Sequence, residues 1–254
     1  MILMAAKKTA AVEQPVDGVT GVWLKSGGVT VSRTMKMVGA VISGGAVAQY
    51  VYSRGVASGT MIRNIGNVYI SGGGLAVGCE IAGGLNAARL NVYQGGSAVL
   101  CVLRSGYLIA NGYPAPATLN DTIQCGGITF IQNYANVSKY TISGGRLDAG
   151  AGGAPKRVYD LGVCGGVVSI YNSTHVSGAV VSGGVVSMYT ANARIFGATV
   201  HSGGALLVSS GSASAVEVMS EGSLTVSSGG TALAVTSNAG AVVTVEAGGY
   251  IEYA

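Results

Sequence analysis

Val181-Ser182-Gly183-Gly184-Val185-Val186-Ser187-Met188 holds the pattern on which the whole chain is built. An apolar residue precedes a small polar one, two glycines turn the chain, and apolar residues then occupy every second place. The same frame recurs at Ile42-Ser43-Gly44-Gly45, Ile70-Ser71-Gly72-Gly73 and Ile142-Ser143-Gly144-Gly145. Val168 and Ile170, Val186 and Met188, Leu206 and Val208, and Leu75 and Val77 all sit two and four places after the second glycine of a pair. That is the period of a strand, not of a helix.

The glycine pairs recur along the chain. Gly126 to Gly144 and Gly165 to Gly183 are steps of 18, Gly229 to Gly248 of 19, and Gly183 to Gly203 of 20. Gly72 to Gly83 and Gly83 to Gly95 are steps of 11 and 12, about half as long. Short strands joined by glycine turns at this period make one coil of about 18–20 residues. One coil cannot bury its inward face alone, so coils must stack. The expected fold is all-β, a single-chain β-solenoid. Residues 20–254 supply about twelve coils, which at ~4.8 Å each form a stack of nearly ~60 Å.

Composition agrees. Glycine supplies 43 of 254 residues, and only 9% of residues are charged, against about 25% in ordinary domains. The apolar residues are mainly Val, Ala, Ile and Leu, with two Phe and one Trp. Small and β-branched side chains suit a narrow interior between closely spaced strands. The net charge of +4 is spread out rather than set in a basic stripe, so nucleic acid is not expected as a partner. No apolar run is long enough for a membrane-spanning helix, and Met1–Lys8 does not read as a secretory signal.

The run Val-x-Ile-Ser-Gly-Gly followed by Ala or Val resembles the AIDA-type repeat of autotransporter adhesin passenger regions. The nearest stretches are Val68–Gly73 and Leu224–Ala232, and the likeness extends over roughly residues 26–250. The resemblance implies a right-handed β-helix, surface display, adhesion, and in some members glycosylation of repeat serines. The expected function is therefore a non-enzymatic surface adhesin or structural stalk, at the cell surface or outside the cell. The alternative is a phage tail-fibre or injection-system fibre segment, on a virion. A polysaccharide-cleaving tailspike is the enzymatic alternative, with Asp148 and Asp160 as its nearest pair of carboxylates.

Residues 1–20 are expected to form a cap or tail, with a short helix over Ala5–Gln14, and residues 21–254 the repeat domain. Two insertions break the repeat, near 111–121 and 149–157, where Pro114, Pro116 and Pro155 cannot donate to a strand ladder. Pro114 and Pro155 are 41 residues apart, close to two coils, so the loops should leave one edge of the solenoid. Tyr113, Asp121, Lys156 and Arg157 are the candidate binding patch there; drift in a tolerant repeat is the competing reading. Tyr50, Tyr171 and Tyr189 each fall five places after a glycine pair. Tyr171 and Tyr189, one coil apart, should stack, either as a surface for a host glycan or protein or as a ladder that stiffens the sheet.

Cys79 and Cys101 hold matching places on neighbouring coils and Cys125 and Cys164 directly precede glycine pairs; a Cys79–Cys101 disulfide or free buried thiols both fit. Neither His175 nor His201 has metal-type spacing, so no metal, cofactor or catalytic residue is expected. The last coil, Gly248–Ala254, carries only Glu252 against edge pairing, so it is expected to meet another copy by end-to-end self-association, a partner subunit or a downstream segment.

Overall fold

A computed structural model describes residues 19–20, 23–24, 27–31, 35–43, 47–84 and 88–254. The helical cap expected over Ala5–Gln14 and the turn at Gly44-Gly45 lie outside the described residues. Among the described residues the chain is all strand and turn, and every strand pairing is parallel, between one coil and the next. This is the β-solenoid.

Each coil has three faces. On the first lie strands such as Asn67–Ile70, Arg89–Tyr93, Tyr107–Asn111, Ile128–Gln132 and Gly204–Val208. The second and third are separate short strands in early coils, as in Leu75–Val77 followed by Glu80–Ala82. In later coils one bent strand covers both, as in Asn136–Ile142 and Arg194–Val200. Lys156–Ile170 and Thr174–Met188 run continuously through the second, third and next first face.

Alternation places one set of side chains inside. Val68, Leu90, Leu108, Thr129, Leu147, Val168, Val186, Leu206 and Leu224 form an unbroken inward column on the first face. Each is buried. The column is sustained because every coil presents the same strand position to the coil above, so one register serves the whole stack.

The corner between the second and third faces is a single left-handed residue. Gly39, Gly59, Gly78, Leu100, Asp121, Lys139, Asp160, Gly178, Gly197, Ala215 and Ala234 all have φ between 48° and 74°. Eleven such corners stand among the described residues, one per coil. The residue after each points inward, from Ala40 and Thr60 through Cys79, Cys101, Thr122 and Tyr140 to Val216 and Val235.

The glycine pairs do not mark one corner. Gly126, Gly144, Gly165 and Gly183 open turns between the third face and the next first face. Gly72, Gly95, Gly229 and Gly248 lie in turns between the first face and the second. The half-length steps of 11 and 12 are explained by this alternation between two corners. It also reverses one expectation: Leu75 and Val77 face outward and Ala76 inward, because Gly74 adds a residue to that turn.

Candidate binding surface

The two proline-bearing insertions occupy the corner between the first and second faces, two coils apart, as the spacing of their prolines implies. The turn at 133–135 lies between them. The Gly112 amide donates to the Asn133 carbonyl (2.8 Å), the Asn133 amide to the Ala151 carbonyl (3.4 Å), and Asn133 Nδ2 to Asn111 Oδ1 (3.2 Å). Tyr113 is 69% exposed, and its ring lies 5.9 Å from that of Tyr134. Further along the same corner Tyr171 and Tyr189 stack at 5.0 Å with an interplanar angle of 16°. Exposed or half-exposed tyrosines thus recur along this edge. Tyr50 is not among them: it sits within a first-face strand and stacks on Tyr69 at 5.1 Å.

Two residues of the expected patch are elsewhere. Lys156 is fully buried at the base of the second insertion. Its Nζ donates to the carbonyls of Gly150 (3.3 Å) and Gly152 (2.7 Å), and burial pushes its ammonium pKa down. A lysine beside a loop reads as exposed in a sequence, but here the loop backbone supplies the acceptors that permit burial. Lys156 anchors the loop and has no surface to offer a ligand. Asp121 is at the other edge of the second face, in the left-handed corner, 3.8 Å from Lys139 Nζ and accepting from Asn120 Nδ2 at 2.8 Å.

Arg157, by contrast, is exposed and heads a column. On the second face Arg157 pairs with His175 and His175 with Arg194; two places along, Tyr159 pairs with Ser177 and Ser177 with Phe196. These side chains line a groove of about 400 Å³. Tyr134, Tyr159, Arg194 and Phe196 were not singled out from the sequence. Positions 157, 175 and 194 are spaced by 18 and 19 residues, the coil period, so the signal for this column was present.

A larger groove, about 630 Å³, follows the left-handed corner past Ile123, Lys139, Asp160 and Val180. Its floor is open because Gly162, Gly178 and Gly197 carry no side chain. Lys139 stands between Asp121 and Asp160 in the stack and pairs with Asp121, which leaves one carboxylate in excess along this groove.

The two carboxylates of the enzymatic alternative are separated. Asp148 is on the outward side of the first face, accepting from Arg146 Nε at 2.7 Å, a contact that raises the Arg146 pKa. Asp160 is at the corner between the second and third faces. Paired-carboxylate hydrolysis needs both groups on one bond, and this arrangement does not provide it. Cys79 and Cys101 adjoin inside the stack as free thiols, where the neighbouring thiol and burial push Cys101 up. Cys125 and Cys164 are free and exposed. Among the described residues no group of three His, Cys, Asp or Glu converges on one point, and no helix is long and apolar enough to cross a membrane.

No protein-family model matches the chain, and no curated protein matches it in sequence. Its fold matches the crystal structure of a TibA fragment, residues 55–350, hyper-glycosylated by TibC. The TM-score is 0.77 over 92% of this chain and 88% of that one, at 20% identity. The likeness is one of fold.

Proposed function

We propose that this chain is a non-enzymatic presentation module, a surface-displayed adhesin or stalk built from AIDA-like repeats. The observation that carries the reading is the edge bearing Tyr113, Tyr134, Tyr171 and Tyr189, a line of amphipathic rings on a rigid rod. Such rings give large contact area at little entropic cost and suit glycan or protein partners. The solenoid holds them at fixed spacing, so a partner meets a preformed surface. The location that fits is the cell surface or the extracellular space. Residues 21–254 are read as the repeat domain, with insertions near 111–121 and 149–157, the first of which brings Tyr113 to the binding edge.

Glycosylation belongs to the same reading. The serines that precede glycine pairs at the corner between the third face and the next first face, Ser143 and Ser182, are exposed, and a fold neighbour is a hyper-glycosylated fragment. Serine hydroxyls at the rim of a rod accept sugars without disturbing its core.

The test is adherence of beads coated with the protein to cultured epithelial cells. Coated beads should adhere above albumin-coated ones, and Tyr171→Ala with Tyr189→Ala should reduce the difference. Equal adherence of coated and control beads would refute the reading.

A further inference from the structure

The column of Arg157, His175 and Arg194 has no charged counterpart in its groove. Three ion pairs occur among the described residues: Arg104–Glu80, Lys139–Asp121 and Arg146–Asp148. Neither Arg157 nor Arg194 takes part. The nearest carboxylate in sequence, Asp160, belongs to the neighbouring corner and does not line this groove. In a chain with 9% charged residues, two unneutralised guanidiniums two coils apart in one groove are a concentration of positive potential.

The column lies beside an aromatic one. Tyr159 is 42% and Phe196 63% exposed. An exposed phenylalanine on an outward strand position gains nothing from the fold, whose core is already filled by Val158, Val176 and Ile195 on the inward side. The groove therefore offers a row of charge and, about 7 Å along the strands, a row of rings.

We propose that this groove binds an acidic polysaccharide. Its carboxylate or sulfate groups sit on Arg157 and Arg194, with His175 between, and the C–H face of a sugar ring lies over Phe196 or Tyr159. Guanidinium matches carboxylate and sulfate oxygens through paired N–H donors. Coil spacing sets Arg157 and Arg194 about 10 Å apart. A nucleic-acid strand carries a phosphate every ~3.4 Å and rewards a denser row of cations. A polymer of alternating acidic and neutral sugars carries its charge more sparsely and presents an apolar ring face between charges. The proposal rests on the presentation reading for its biological sense, but it uses residues other than the tyrosine edge.

The experiment is calorimetric titration of the full chain with a hyaluronan hexasaccharide, in which uronates alternate with neutral sugars, at several salt concentrations. Neutral dextran and a single-stranded oligonucleotide of matched charge serve as comparisons. The hexasaccharide should bind and dextran should not. Arg157→Gln with Arg194→Gln should weaken binding at least tenfold and lower the slope of log affinity against log salt. Phe196→Ser should weaken binding with the slope unchanged, a readout that general loss of charge does not give. Arg54→Gln with Arg63→Gln, on the early coils, is the control. The proposal is overturned if that control loses as much affinity as the groove variant, if the groove variants bind as the parent does, or if the oligonucleotide binds more tightly through the same arginines. Loss of hyaluronan binding in groove variants with bead adherence intact would support this site and leave the tyrosine edge as a separate surface. Failure of adherence alone would sink the presentation reading only.

Discussion

Tyr140 is the largest fully buried side chain among the described residues, and its hydroxyl sits in a network with directions that can be assigned. It donates to Gln124 Oε1 at 2.8 Å. Its one proton being used, it must accept from Thr129 Oγ1 at 2.6 Å. Gln124 Nε2 in turn donates to the carbonyls of Gly127 (3.0 Å) and Arg146 (2.9 Å), which ties the network to the corner between the third face and the next first face. Tyr140→Phe keeps the ring and removes the hydroxyl. It strands one acceptor and one hydroxyl away from water, each costing about 1–3 kcal/mol, so the expected loss is about 2–6 kcal/mol. Thr129→Val alone should cost less, because Tyr140 still satisfies Gln124. The double variant leaves only Gln124 Oε1 unmet, and should recover about 1 kcal/mol relative to the sum of the singles. Urea unfolding followed by circular dichroism measures all four proteins, with the midpoint moving at constant slope.

The same residue gives a pH test. Burial raises the Tyr140 pKa well above the usual 10.0, with the Thr129 hydrogen bond opposing it. The folded state holds this proton more tightly than the unfolded chain does. Its contribution is therefore complete below about pH 10 and falls as pH rises through the window above that value, by about 1.4 kcal/mol per unit for one proton. Tyr140→Phe should lose one proton's worth of that alkaline slope. A Phe variant of parental stability at neutral pH, with the parental slope above pH 10, would refute the network as described.

Three further outcomes are expected. Gly183→Val fails by collision, since a Cβ there would lie 2.5 Å from the Cys164 carbonyl oxygen, whereas Gly203→Val has room but must hold φ near +77°; each should lower stability by at least about 1–3 kcal/mol, and unchanged melting in both would place these glycines away from the turns. Asp148→Asn with Asp160→Asn should alter no turnover, because the protein should release no reducing ends from polysaccharide; cleavage lost in that variant would establish an enzyme. Sedimentation over a range of concentrations should show self-association that Ile251→Lys abolishes, through the coil bearing the exposed Val242, Val245, Tyr250 and Tyr253; a monomer at every concentration would rule it out.

The inward columns were legible because strand alternation is a property of sequence, and parallel stacking leaves it undisturbed: Val168, Val186 and Leu206 read as equivalent places and form one column, whereas Leu75, read the same way, faces outward. The corners were not. A double glycine serves two of the three corners, so sequence spacing merged them. The remaining corner, between the second and third faces, needs a single left-handed residue per coil, which is glycine in five described coils, Gly178 and Gly197 among them, but Asp121, Lys139, Asp160 or Ala215 in others. No glycine count finds it. Stacking of Tyr171 on Tyr189 followed from coil spacing, as did the shared edge of the two insertions. Lys156 was misplaced because its burial depends on the Gly150 and Gly152 carbonyls, which only the folded loop aims at it.

The fold and its surface are set by different residues of the same strands. Between outward Arg157 and Tyr159 lies inward Val158; between His175 and Ser177 lies Val176; between Arg194 and Phe196 lies Ile195. The inward residues fix the register, and that register then aligns whatever the outward positions carry. Substitutions at outward positions away from special features change stability by only about 0.5 kcal/mol. A coil can therefore gain an arginine or a phenylalanine on its outer side while the stack beneath is unaffected. Because the coil repeats at 18 or 19 residues here, three such substitutions at that spacing assemble a site that no local sequence motif encodes. The groove at Arg157, His175 and Arg194 has that form, and the corner tyrosines have it too. In a solenoid of this kind, binding surfaces are to be sought by aligning coils on their left-handed corners and reading down the columns.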